Sequence, residues 1–88
     1  DAGCGVFVGG MLETAVGRAA AVAVAALPVC TFPTDLGPSS RYFESDVAGP
    51  LVVDAAGRLE VPTGPGIGVT PDPPGLQRFT VDHGLWRR

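Results

Sequence analysis

No lysine occurs in this chain of 88 residues; all six positive charges are arginines, at Arg18, Arg41, Arg58, Arg78, Arg87 and Arg88. A mechanism that needs an amine base or a Schiff base therefore cannot be completed within the chain. Cysteine is nearly as scarce. Cys4 and Cys30 do not make a disulfide scaffold, and reduced thiols are favoured over a single bridge between them. They have neither a close-paired spacing nor histidine company, which argues against a zinc site, and they are expected to pack at the N-terminal ends of two strands. The one histidine, His83, stands beside Asp82 near the C-terminus. An Asp-His pair can orient a general base, but no nucleophile accompanies it, so a structural or incidental role is favoured. The longest apolar run, Ala19 to Val29, is roughly 11 residues, well short of the ~20 that a bilayer span needs. With a net charge of −3 there is no electrostatic reason to expect nucleic acid or an anionic membrane as partner. No secretory signal is recognisable, and a cytoplasmic location is expected.

Apolar residues make up 45% of the chain, which argues against disorder despite 13 Gly and 9 Pro. Those Gly and Pro lie mainly after Leu36, giving an apolar front and a turn-rich back. There is no initiator Met, and Asp1-Ala2-Gly3-Cys4 leads straight into an apolar segment. That start reads as a cut at a domain or proteolytic boundary, with a processed terminus as the alternative. Val6-Phe7-Val8, between Gly5 and Gly9-Gly10, predicts a buried strand. Ala15 to Leu27 predicts a helix with Thr14 as N-cap and Pro28 as its stop. Arg18 is the only charge inside it, and from Ala19 to Leu27 it is apolar on every face. A helix without a wettable side must be covered on most sides, and a Gly/Pro-rich second half offers little cover. Val29-Cys30-Thr31-Phe32 predicts a second strand.

Strand, helix, strand makes a right-handed βαβ unit, with functional loops at the C-terminal ends of the strands. Here those loops are Gly9 to Thr14 and Pro33 to Ser40, opening on the same side. Ser39 to Asp46 predicts one or two helical turns capped by Ser39 or Ser40. Leu51 to Val61 predicts a β-hairpin turning at Gly57, Pro62 to Pro74 a loop, and Gly75 to Trp86 a weak terminal helix.

Gly64-Pro65-Gly66-Ile67-Gly68 has the look of a phosphate loop. A dinucleotide fingerprint needs a helix directly after it, and Val69-Thr70-Pro71-Asp72-Pro73-Pro74 does not start one promptly, so a structural turn is favoured. Glu13 and Asp35 each follow an apolar strand closely, where barrel enzymes place polar site groups. The plainer reading, a helix-dipole contact for Glu13 and a turn for Asp35, stays open beside it. Tyr42, Phe43 and Trp86 read as packing anchors.

Three motifs carry a resemblance. Gly9-Gly10-Met11-Leu12-Glu13-Thr14-Ala15-Val16-Gly17-Arg18-Ala19 closely resembles the segment after the seventh barrel strand of the o-succinylbenzoate synthase and N-acylamino acid racemase family, within the muconate-lactonizing subgroup of the enolase superfamily. Phe32-Pro33-Thr34-Asp35, continuing to Ser39-Ser40-Arg41-Tyr42-Phe43 and Asp46, is similar to the eighth strand and its exit. Val61 to Val69 is similar to the segment that returns to the capping domain. The family more often has Gly where Thr34 stands, a hydroxyl residue at Leu36 and Gly at Ala15, departures at the pocket mouth.

The resemblance implies an α/β fold: the last two strands and intervening helix of a (β/α)7β barrel, residues 1–48, followed by a hairpin, loop and tail on the capping domain, residues 49–88. It implies a divalent metal, usually magnesium, held by carboxylates upstream of Asp1. Lysines, also upstream, would move the proton α to a carboxylate. Gly9, Gly10, Met11, Glu13, Thr34 and Asp35 would line the site of a small carboxylate substrate, with no catalytic residue and no metal ligand in the chain. Partners would be the missing barrel and capping domain, in a homo-oligomer. Muconate cycloisomerase and dipeptide epimerase are alternatives within the superfamily; a self-standing, non-enzymatic interaction domain is the alternative outside it.

Overall fold

Alanine is the best helix former, and the alanine-rich stretch after Thr14 folds as expected. The computed structural model describes residues 2–87, and in it α1 spans Ala15–Ala25. The helix ends two residues before the predicted Leu27. Its last turn tightens, with the Leu27 N–H donating to the Val24 carbonyl at 3.1 Å, a three-residue closure common at helix ends. The Cys30 N–H then donates to the Leu27 carbonyl at 2.9 Å, turning the chain back. Only one side of α1 is covered: Ala15, Arg18, Ala19 and Val22 are buried, whereas Ala20, Ala23, Val24 and Leu27 are exposed.

The two strand-like segments lie side by side and parallel, as a βαβ unit requires, but they make a single bridge, Val6 with Cys30. The Phe32 N–H donates to the Val6 carbonyl at 3.2 Å. The prediction that these segments are buried strands is not met. Phe7, Val29 and Phe32 are exposed. A parallel pair is built to be flanked by further strands and covered on both faces, and the described residues offer neither. Cys4 is exposed, Cys30 is half-buried with its thiol directed at the Val24 carbonyl at 3.4 Å, and both are free.

Beyond this unit the chain makes short elements. A 3₁₀ turn spans Ser39–Arg41 and has Pro38, not a serine, at its N-cap. Ser39 lies inside it, buried, with its hydroxyl donating to Asp46. Tyr42 packs edge-on against Phe43 but is itself exposed, as is Trp86, so neither anchors a core within the chain. The hairpin forms, with Val53 bridged to Leu59 and the Asp54 N–H donating to the Arg58 carbonyl at 2.8 Å. The glycine-rich motif is a turn, closed by the Gly68 N–H on the Pro65 carbonyl at 3.1 Å.

The second helix, α2, spans Pro73–Phe79, and so starts in the segment predicted to be loop and ends well before Trp86. Proline is tolerated in the first helical turn, where no N–H is needed. The Asp72 carboxylate supplies the cap, accepting from the Gly75 N–H at 3.0 Å. An antiparallel bridge between Ala48 and Pro71 fastens this region to the segment after the 3₁₀ turn.

Candidate functional site

The covered side of α1 faces the two loops that leave the parallel pair, and those loops meet. Val8, at the end of the first segment, accepts a hydrogen bond from the Thr34 hydroxyl, and Thr34 Oγ1 accepts in turn from the Leu36 N–H at 3.1 Å. A methyl group placed on Gly9 would stand 3.8 Å from Asp35 Oδ1. The Thr34 hydroxyl is thus engaged within the chain, while the Asp35 carboxylate is exposed beside Gly9.

Gly10 is glycine for an internal reason. A Cβ there would collide with Arg18 Nη1 and lie 2.7 Å from Leu36 Cδ2. Arg18 is only 1% exposed. Its Nη2 donates to the Met11 carbonyl at 2.7 Å, and its Nη1 stands 3.8 Å from Glu13 Oε2. Glu13 folds back over the first turn of α1, near Gly17, leaving the Met11 and Leu12 side chains in the open.

The predicted residues Gly9, Gly10, Met11, Glu13, Thr34 and Asp35 therefore form one cluster at the mouth of the two loops. Sequence reasoning did not give Arg18 or Asp46 a part in it. The signal for Arg18 is its isolation as the single charge in an alanine-rich helix. The signal for Asp46 is a negative one: the first turn of α1 has no acidic residue and Thr14 makes no side-chain cap bond.

Asp46 fills that role from 31 positions away. Its two carboxylate oxygens accept the Ala15 N–H at 3.1 and 2.9 Å. It also accepts from the Val47 N–H at 2.6 Å and from Ser39.

Among the described residues no three His, Cys, Asp or Glu side chains gather where a metal ion would be held. The donor set does not fit such an ion. Glu13 is directed at Arg18 and Asp46 is taken up by the helix cap, so neither carboxylate is free to join Asp35 on an ion. No helix among the described residues is long and apolar enough to cross a membrane. An open groove of about 380 Å³ runs between α1 and the hairpin, lined by Val22, Ala26, Thr34, Leu36, Leu59 and Val61. It does not reach Gly9 to Glu13.

Residues 1–75 match a family model described as enolase C-terminal domain-like. The chain is 49% identical over 79 residues to an N-succinylamino acid racemase of Amycolatopsis, covering 90% of the chain and 21% of the racemase. It is 47% identical over 75 residues to an o-succinylbenzoate synthase of Listeria innocua, covering 85% of the chain and 20% of the synthase. Among solved structures, a probable mandelate racemase from Alicyclobacillus acidocaldarius superposes with a TM-score of 0.83 at 42% identity, over 91% of this chain and 21% of that one. An enolase-superfamily member from Enterococcus faecalis gives 0.77 at 39% identity, over 83% and 20%. The chain spans about a fifth of the length of the curated relatives it matches. Its α/β architecture and this continuous match place it in one family: the chain belongs to the enolase C-terminal domain-like family of the enolase superfamily.

Proposed function

We propose that this chain forms one wall of the substrate pocket in an enzyme of the o-succinylbenzoate synthase and N-succinylamino acid racemase kind. The observation that carries this reading is the meeting of two loops at the same end of a parallel pair, through Thr34 with Val8 and Gly9 with Asp35. That end of a parallel sheet is where barrel enzymes hold their substrates. Residues 1–48 would supply the last two strands and intervening helix of the barrel. Residues 49–88 would return to the capping domain.

The backbone N–H groups of Gly9 and Gly10 would receive a substrate carboxylate or amide, and Met11 would give apolar contact. Glu13 and Asp35 would orient or exclude charged substrate ends, and Thr34 would narrow the mouth. The reaction served is abstraction of the proton α to a carboxylate. Its bases would come from the rest of the barrel, because the chain contains no lysine. Magnesium, generally required in the enolase superfamily, would be held by groups outside this chain. The whole enzyme would be a homo-oligomer acting on a small carboxylate.

The test is a graft. The matching segment of the Amycolatopsis racemase is replaced by this chain, and racemisation of N-succinylamino acids and formation of o-succinylbenzoate are assayed. One of the two activities is expected to survive within about tenfold, a change of ~1.4 kcal/mol in transition-state stabilisation. A folded graft with neither activity overturns the proposal.

A further inference from the structure

Arg18 is the only charged residue in α1 and is almost completely buried. A buried guanidinium is costly unless it is paired and hydrogen-bonded, and an apolar side chain of similar volume often serves stability as well or better. This one is not placed for pairing alone. Its distance to Glu13 is 3.8 Å, longer than a hydrogen bond, and both Arg18 Nε and Glu13 Oε2 are buried without a hydrogen-bond partner. Its short contact is to backbone, the Met11 carbonyl at 2.7 Å. The guanidinium also occupies the space that any side chain at Gly10 would need. One side chain therefore touches the loop from Gly9 to Glu13 at three of its residues.

That loop has little else to hold it. Its one internal bond is the Glu13 N–H on the Met11 carbonyl at 3.0 Å. Among the described residues, the N–H groups of Gly9, Gly10, Met11 and Leu12 donate to no protein acceptor. Four consecutive amide donors with no partner in the chain receive a ligand well only if their directions are fixed before it arrives.

We infer that Arg18 is a positioning residue for the pocket mouth. It clamps the Met11 carbonyl from beneath, so that the unpaired amides of the Gly9–Glu13 loop keep one orientation toward the substrate. The assignment rests on the pocket-wall reading above; Arg18 itself would not touch substrate. Lysine would not replace it. A single ammonium on a flexible stem lacks the fork that reaches Met11 and faces Glu13 together.

Two measurements separate this inference from the reading it rests on. The first uses the full chain and its Arg18→Met variant under dilute chymotrypsin, following cuts at Met11 and Leu12 against the cut at exposed Trp86, each rate divided by that of the same bond in a short unstructured peptide. In the unsubstituted chain the loop should be cut at least about tenfold more slowly than the tail, a difference set by local opening. Arg18→Met should abolish that difference while cuts at Phe43 and Leu51 keep their rates. A loop cut as fast as the tail in the unsubstituted chain overturns the inference. So does an unchanged loop in the variant, or acceleration at every site, which would mean a packing role only.

The second measurement uses the grafted racemase. There, Arg18→Met should raise KM about tenfold with kcat within about twofold, the pattern of lost ground-state binding. Arg18→Lys should recover less than half of that loss. An equal fall in kcat with KM unchanged counts against Arg18 as a positioning residue. An inactive graft of the unsubstituted chain defeats the pocket-wall reading and leaves the proteolysis result to decide the role of Arg18.

Discussion

The Asp46 carboxylate holds together parts of the chain that lie far apart in sequence. It accepts from the first N–H of α1, from its own neighbour Val47 and from the buried Ser39 hydroxyl. Negative charge at a helix N-terminus is favoured by the peptide dipoles, and losing a cap costs ~0.5–2 kcal/mol. Asp46→Ala also strands the donors of Ala15, Val47 and Ser39, so a loss of about 2–3 kcal/mol is expected. Asp46→Asn keeps one acceptor and should lose roughly half as much. Thr14, the residue that sequence pattern nominates as the cap, makes no side-chain bond. Thr14→Ala should therefore stay within about 0.5 kcal/mol of the parent. Urea unfolding of the three variants, at one protein concentration, makes the comparison. Equal losses for Thr14→Ala and Asp46→Ala would show that the cap is local after all.

At the scale of elements, the hairpin offers the cleanest separation of causes. Asp54 accepts from the Ala56 and Arg58 N–H groups, both at 2.9 Å, and Gly57 completes the turn with φ at +77°. A Cβ on Gly57 would meet nothing within 4 Å, so Gly57→Ala should cost only its backbone conformation, ~1–2 kcal/mol. Exchange of the Asp54 amide, which donates to the Arg58 carbonyl, reports it, and an unchanged rate would mean that the turn does not hold the hairpin. This element was legible in the sequence because turn chemistry is local. So was α1, whose alanines carry their own propensity, and so was the parallel pairing on either side of it. The burial of Val6 to Val8 and Val29 to Phe32 was not, because a dry composition records what a segment is built to face and not what is present. The start of α2 lies inside the stretch whose prolines predict a loop, because Asp72 caps it and the first helical turn needs no proline N–H. At the site, the positions of Glu13 and Asp35 just past the two strand-like segments were legible from pattern, whereas Gly9, Gly10, Met11 and Thr34 entered only through the family resemblance. The parts played by Arg18 and Asp46 depend on contacts across 7 and 31 positions, which no local pattern encodes.

The molecule as a whole exposes more surface than its size requires. A folded monomer of 8.9 kDa has about 4,800 Å² of accessible surface, whereas this chain has 6908 Å². Its radius of gyration is 15.0 Å, against about 12 Å for a globular domain of this length. An excess of roughly 2,100 Å² is the size of the large, apolar interfaces of obligate assemblies, which is what the proposed pocket-wall reading requires. Its apolar part includes Leu27 on α1, 50% exposed, and Phe32 on the parallel pair, 58% exposed. A surface built for enclosure and one built for water respond oppositely to charge. In the chain by itself, Leu27→Asp and Phe32→Asp should change unfolding free energy by less than about 0.5 kcal/mol, since neither site is in a core. The same changes should lower dye binding to exposed apolar surface and reduce association at micromolar concentration. In the grafted racemase each would bury an unpaired carboxylate, and soluble enzyme should be lost or its stability cut by about 3–5 kcal/mol. Sedimentation and dye fluorescence of the chain, set beside the yield and melting of the graft, decide the matter. A chain that stays monomeric and dye-silent when concentrated, with a graft indifferent to both substitutions, would make this face an ordinary surface and favour a self-sufficient small domain instead.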